Sequence, residues 1–420
     1  MLMCDLRRFI KGAVYLPILP RSFKSIVSLL RCVGWLPAKH ESSGEIHRIL
    51  IVQLDNIGDL VLSFPLLDEI HRQWPEAEID FIVSHAAVAL FRNVPFIHRV
   101  LGFTLTPSGF LSRHINVLRL LWFCRREMPE DYDLALDPRW DSDGHAYLER
   151  VTVFLSGASV RVSYSGCADG VDPSLDEFMT HCALGGRNEQ ESIRKLRLLQ
   201  RARLSARVVE ESATLQVNST LCAVAECSKS SLGSLLQKAD VQPGERYVVL
   251  APSASLPAKI WPIENLAKLA RVLHATYGLR FVVVGASGDV ELCARVAAMS
   301  PGIAVSLAGK TNLIELLSLL ANATLFIGND SGPAHLSGMI GQATVVATVA
   351  RTFAERLDDV DAPRRFRPCG PRVRLIQPDR PLLPCDAACN CKEAHCITQV
   401  SAEAVLGACE DLLQTKSSEQ

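Results

Sequence analysis

Nearly unbroken apolar runs alternate along this chain with stretches whose apolar positions recur every three or four residues. Residues 49–54 form the clearest run, rich in Ile and Val, the mark of a strand buried on both faces. Further strands are expected at 78–83, 100–101, 134–136 and 160–162. Between them, helices are expected from Asp59 through Ile70, with Pro65 bending or restarting the helix, and at 86–92, 110–126 and 145–155. Residues 166–240 are less regular, with one helix at 192–199. The alternation then resumes. Strands are expected at 247–250, 279–284, 305–307, 325–327 and 344–348, and helices at 263–276, 290–299, 314–320, 334–339 and 401–413. Strand–helix alternation predicts an α/β fold with doubly wound parallel sheets. The chain divides into a basic amphipathic appendage (1–46), a first Rossmann-like domain (47–240) and a second (241–420), joined near Val241–Gly244. Ligands of open parallel sheets bind at strand C-termini, so two such sheets imply a central cleft.

Composition narrows the picture. A net charge of -1 argues against a nucleic-acid binder. The 14 cysteines lack framework spacing, and the start is broken by Arg7, Arg8, Lys11 and prolines, unlike a cleavable leader. A reducing, cytoplasmic setting with free thiols is expected. No apolar run reaches the roughly 18 residues of a membrane span. Residues 1–46 interleave Arg7, Arg8, Lys11, Arg21, Lys24, Arg31 and Lys39 with apolar side chains, and Asp5 is the only acid before Glu41. Such a segment suits peripheral contact with an anionic membrane surface, or packs on the body as ordinary helices.

Three loops carry candidate chemistry. After the strand at 325–327 comes Gly328-Asn329-Asp330-Ser331-Gly332-Pro333, then a helix opening that contains His335. Strand, small-residue turn and helix leave backbone N–H groups for an anion, and Gly332 admits close approach. Pro333 suits a first helical turn. A phosphate fits the N–H groups and a sugar hydroxyl fits Asp330; alternatively, Asp330 or Ser331 caps the helix. The loop after 247–250 places Ser253, Ser255 and Lys259 at the same mouth, with Lys259 suited to a diphosphate. In the first half, Ile57-Gly58-Asp59 puts a carboxylate at a helix start, where it is a base or a cap. His335 is a ligand or a packed core histidine. No dinucleotide fingerprint or P-loop is present. A carboxylate facing a phosphate seat suits sugar transfer from a nucleotide-diphosphate donor to a hydroxyl acceptor.

The segments IGDLVLSFP, PSASLPAKIWP and GNDSGPAHLSGMIG, in this order, resemble the ADP-heptose:lipopolysaccharide heptosyltransferase family (glycosyltransferase family 9) over roughly residues 47–410. The resemblance implies a GT-B fold, inverting transfer, and no cofactor or catalytic metal. It implies Asp59 as general base, Ser255 and Lys259 near the donor phosphates, Asp330 on the sugar, and Ser331, Gly332 and Pro333 lining the phosphate turn. It implies ADP-heptose as donor and a lipid-linked saccharide as acceptor. The family turn usually has threonine where Ser331 stands, and the appendage extends past the usual start. Both departures bear on the donor and acceptor rather than the class. The alternatives are a non-catalytic nucleotide-sugar binder, a same-fold transferase with another donor, or a nucleotide-sugar epimerase. Cys385, Cys389, Cys391, His395 and Cys396 form a thiol cluster or a zinc site, though paired C-x-x-C arms are lacking.

Overall fold

Two six-stranded sheets, parallel throughout, emerge from this alternation in the computed structural model. The structure describes residues 20–32, 34, 36, 44–105, 112–128, 132–139, 147–165, 173–185, 189–206, 209–210, 212, 216–227, 229–348, 363–383 and 392–417. After α1 (Pro20–Cys32), the first half runs β1 (Arg48–Gln53), α2 (Ile57–Val61), α3 (Phe64–Gln73), β2 (Glu78–Ser84), β3 (Ile97–Phe103), α4 (Ser112–Glu127), β4 (Leu134–Asp137), α5 (Tyr147–Leu155), β5 (Val160–Tyr164), β6 (His181–Ala183) and α6 (Glu191–Leu196). Two helices follow, α7 (Ser219–Glu226) and α8 (Lys229–Lys238). The second half comprises β7 (Tyr247–Ala251), α9 (Ile263–Tyr277), β8 (Arg280–Val283), α10 (Val290–Ala298), β9 (Ala304–Ser306), α11 (Leu313–Asn322), β10 (Leu325–Asn329), α12 (Gly332–Met339), β11 (Thr344–Ala347), β12 (Val373–Ile376) and α13 (Ala402–Ser417). Short helical turns such as Val88–Phe91 complete it.

The strand orders are β3-β2-β1-β4-β5-β6 and β12-β11-β10-β7-β8-β9. Each order reverses direction once, between β1 and β4 and between β10 and β7. These switch points open crevices at the strand C-termini. Every loop singled out in the sequence lies at one of them. Pleating sorts the β1 and β2 side chains: Ile49, Ile51, Phe81 and Val83 join one core, and Leu50, Val52 and Ile82 the other. The first core runs through Leu60 and Phe64 into Ala334 and Leu336 of α12, so apolar packing is continuous between the halves.

Several expectations need correction. β6 and β12 were not expected, because edge strands of three and four residues, without a continuous apolar run, leave little pattern. Nor were α7 and α8, whose apolar positions are diluted by Ser and Lys. The helix expected from Asp59 starts two residues earlier, at Ile57, and restarts at Phe64 with Pro65 in its first turn. α7 ties the halves together. The Asp68 carboxylate on α3 accepts from Asn218 Nδ2 (2.6 Å) and Thr220 Oγ1 (2.7 Å), while the Asn218 N–H donates to the Met339 carbonyl at the end of α12 (2.9 Å). Of the appendage, α1 packs Phe23 and Val27 onto the first half. Residues 1–19 and most of the cysteine cluster, Cys385, Cys389 and Cys391 included, lie outside the described residues. Among the described residues no helix is long and apolar enough to cross a membrane.

Candidate active site

Where the N-termini of α2 and α12 meet, the two halves enclose a cavity of about 880 Å³. All nine residues expected at the site line it: Asp59 from the first half, and Ser253, Ser255, Lys259, Asp330, Ser331, Gly332, Pro333 and His335 from the second. The approach of the helices depends on glycine. A Cβ on Gly58 would sit 2.9 Å from His335 Cδ2, and one on Gly332 would sit 3.3 Å from Ile57 Cγ2.

Asp59 caps nothing: the N-cap of α2 is Asn56, which makes no side-chain cap bond. Burial, reinforced by the nearby Asp55, raises the Asp59 carboxyl to about 6, against the opposing pull of Lys195 and His335. Lys195 is a residue the sequence did not flag. Its buried ammonium donates to the Asp59 carbonyl (2.5 Å) and to Ser63 Oγ (3.1 Å). Desolvation lowers its pKa, although Glu191, Asp55 and Asp59 favour its charge. Glu191 in turn accepts from Arg194 (3.0 Å) and from Arg365 (2.9 Å), the latter from the second half. Burial works against the Glu191 anion, yet these cations hold its carboxyl at about 2. Arg139 leaves β4 and is pinned by Asp55 (2.8 Å) and Glu149 (2.6 Å), which makes it a strut under the cavity floor. In the sequence, Arg194 and Lys195 stand only as basic residues of the helix expected at 192–199, with nothing to mark them as buried.

On the opposite side Lys259 Nζ donates to Asp330 (3.2 Å), and His335 Nε2 lies 3.6 Å from the other Asp330 oxygen. Burial opposes the Asp330 charge, but His335 and Lys259 outweigh it and hold the carboxyl at about 2. Asp330 is thus a fixed anion and Asp59 a titratable one. Capping by Asp330 or Ser331 is not observed: Ser331 is the N-cap of α12 without a side-chain cap bond, and its hydroxyl donates to the Asn329 carbonyl (3.1 Å). The N–H groups of Ala334 and His335 bond back to the Ser331 carbonyl (3.0 and 3.3 Å), which leaves the turn fewer free donors than its sequence suggests. Lys259 is a cation of the cavity wall on this side, paired with Asp330. Its loop is fixed by buried Asn329, which accepts from the Trp261 N–H (3.0 Å) and donates to the Pro252 carbonyl (2.6 Å). Ser253 donates to Asp289 (3.1 Å), a further lining carboxylate the sequence did not single out.

The paired parallel sheets and the cleft between them make up a GT-B fold. A model described as glycosyltransferase family 9 (heptosyltransferase) matches residues 192–347. The chain is 25% identical over 292 residues to lipopolysaccharide heptosyltransferase 3 of Escherichia coli K12, covering 67% of this chain and 77% of that one. It is 23% identical over 303 residues to lipooligosaccharide heptosyltransferase 2 of Haemophilus influenzae, covering 71% and 82%. The structure of E. coli ADP-heptose lps heptosyltransferase II superposes with a TM-score of 0.62 at 18% identity, over 88% of this chain and 99% of that one. The second half of the chain is thus similar to glycosyltransferase family 9, and about two thirds of its length is similar to curated heptosyltransferases.

Proposed function

We propose that this enzyme transfers heptose from ADP-heptose to a lipid-linked saccharide of the lipopolysaccharide type, with inversion at the anomeric carbon. The observation that carries the reading is the asymmetry of the two carboxylates across one cavity. Asp59, with a pKa of about 6, is ionised at neutral pH yet basic enough to take a proton. Asp330, held at about 2 between Lys259 and His335, stays ionised and orients hydroxyls. In the proposed step, Asp59 removes the acceptor hydroxyl proton while the oxygen attacks the anomeric carbon. The bond to the donor's diphosphate oxygen breaks, and the diphosphate leaves against Lys259 and the Ser331–Pro333 turn. Ser253, Ser255 and His335 complete the donor side. Attack from the face opposite the leaving group inverts the centre.

The test offers the protein a panel of nucleotide sugars with a heptose-deficient core saccharide and determines the product linkage by NMR. Heptose transfer from the ADP donor with inverted configuration is expected. Transfer of another sugar, or retained configuration, contradicts the reading. Donor binding without transfer to any acceptor favours the non-catalytic binder.

A further inference from the structure

Among the described residues ten large apolar side chains stand exposed, and five of them belong to two helices of one layer: Ile26 and Leu29 on α1, and Ile115, Leu118 and Trp122 on α4. Both helices bury their inner faces in the core on one side of the first sheet, α1 through Phe23 and Val27 and α4 through Leu120 and Cys124. On α4 the buried positions Asn116, Leu120 and Cys124 recur every fourth residue. The exposed apolar positions 115, 118 and 122 follow the opposite stripe. The helix is therefore apolar on its outward face as well, which a water-facing helix does not require.

The charges around this face are mostly positive; beside α1 the exposed Glu177 pairs with Lys24 (3.0 Å). α1 contains no acid. α4 contains one, Glu127 at its last residue, paired with Arg126 (3.1 Å). Exposed Arg119, Arg125 and Arg126 flank the apolar stripe. The Arg126 guanidinium lies over the Trp122 ring (5.3 Å), and that of Arg119 over the Phe103 ring (5.6 Å). Apolar side chains with a tryptophan, bordered by arginines and almost free of acids, match the interface of an anionic bilayer.

The position of α4 matters as much as its composition. Phe103, Thr104 and Leu105, at the end of β3, line the catalytic cavity, and α4 is the next helix in the chain. The Phe103 ring also packs edge-on against Phe123 of α4 (5.3 Å). We propose that the outward faces of α1 and α4 are a docking surface for anionic membrane lipid, which sets the first-half lip of the cleft at the bilayer. The proposal rests on the transferase reading only in placing a lipid-borne acceptor at that lip.

The test is co-sedimentation of the full chain with phosphatidylcholine vesicles, with and without phosphatidylglycerol, at low and physiological salt. Binding is expected only with phosphatidylglycerol, and weaker at the higher salt. The pair Leu118→Glu and Trp122→Glu is expected to lower binding by about tenfold or more, with the ADP-induced thermal shift unchanged. Should that pair fail to fold, Arg125→Gln with Arg126→Gln is read in the same assay and is expected to weaken binding severalfold. No wild-type binding to phosphatidylglycerol vesicles overturns the proposal, as does binding that both variant pairs leave intact. A wild-type dimer that the substitutions split, with no vesicle binding, assigns the face to a second copy instead. Vesicle binding is read without donor or acceptor, so its failure leaves the transferase reading standing.

Discussion

At the scale of single residues, Lys195 decides how Asp59 behaves. Its ammonium opposes the rise of the Asp59 pKa and holds the α2 backbone through the Asp59 carbonyl. Wild type is expected to show the acidic limb of its kcat/KM profile near 6, and Lys195→Met should move that limb to higher pH. A purely structural role would lower activity at all pH values without moving the inflection. Asp59 also affects stability. Its folded pKa lies above the ordinary carboxylate value, so the native state binds the extra proton between about 4 and 6, and stability falls as pH rises through that window. Asp59→Asn should be more stable than wild type at neutral pH by about 3 kcal/mol, measured by urea unfolding. Gly58→Ala tests the helix contact. Although alanine favours a helix, its methyl meets the His335 ring at 2.9 Å. Weaker ADP binding than wild type is expected, measured by isothermal titration.

At the scale of elements, the loop carrying Lys259 is only as rigid as the end of β10. Asn329→Ala would leave the Trp261 N–H and the Pro252 carbonyl unpaired in a buried place, at a cost of about 1–3 kcal/mol. The donor KM should rise more than kcat falls, because the loop moves and the base does not. The sequence displayed these elements unevenly. β1, β7 and β10 are near-continuous apolar runs at the sheet centres, and their loops hold Asp59, Lys259 and Asp330, so strands and loops were legible together. β6 and β12 were not, since a sheet edge can be built by His181–Ala183 or by the half-exposed Val373–Ile376. Neither were the supports of the site. Glu191, Lys195 and Arg139 are charged residues that only long-range partners can bury, and no local pattern announces partners as distant in sequence as Asp59 is from Lys195 or Arg365 is from Glu191.

At the scale of the molecule, the two sheets are joined by apolar packing and by one buried ionic cluster, Glu191 with Arg194, Arg365 and Lys195. Glu191→Gln would leave three buried cations without their carboxylate, and a loss of about 3–5 kcal/mol is expected. Because the folded pKa of Glu191 is depressed to about 2, its stabilisation is present above the ordinary glutamate value and is lost as pH falls towards 2. Through Lys195 the same cluster holds the α2 backbone that forms one side of the cavity. The central claim is that Asp59 acts on an acceptor while the second half holds the donor. It is tested most directly by comparing kcat and ADP affinity, by isothermal titration, for wild type and Asp59→Asn. A fall in kcat of about 10²-fold or more with an unchanged ADP dissociation constant is predicted. Undiminished turnover in Asp59→Asn would contradict the account.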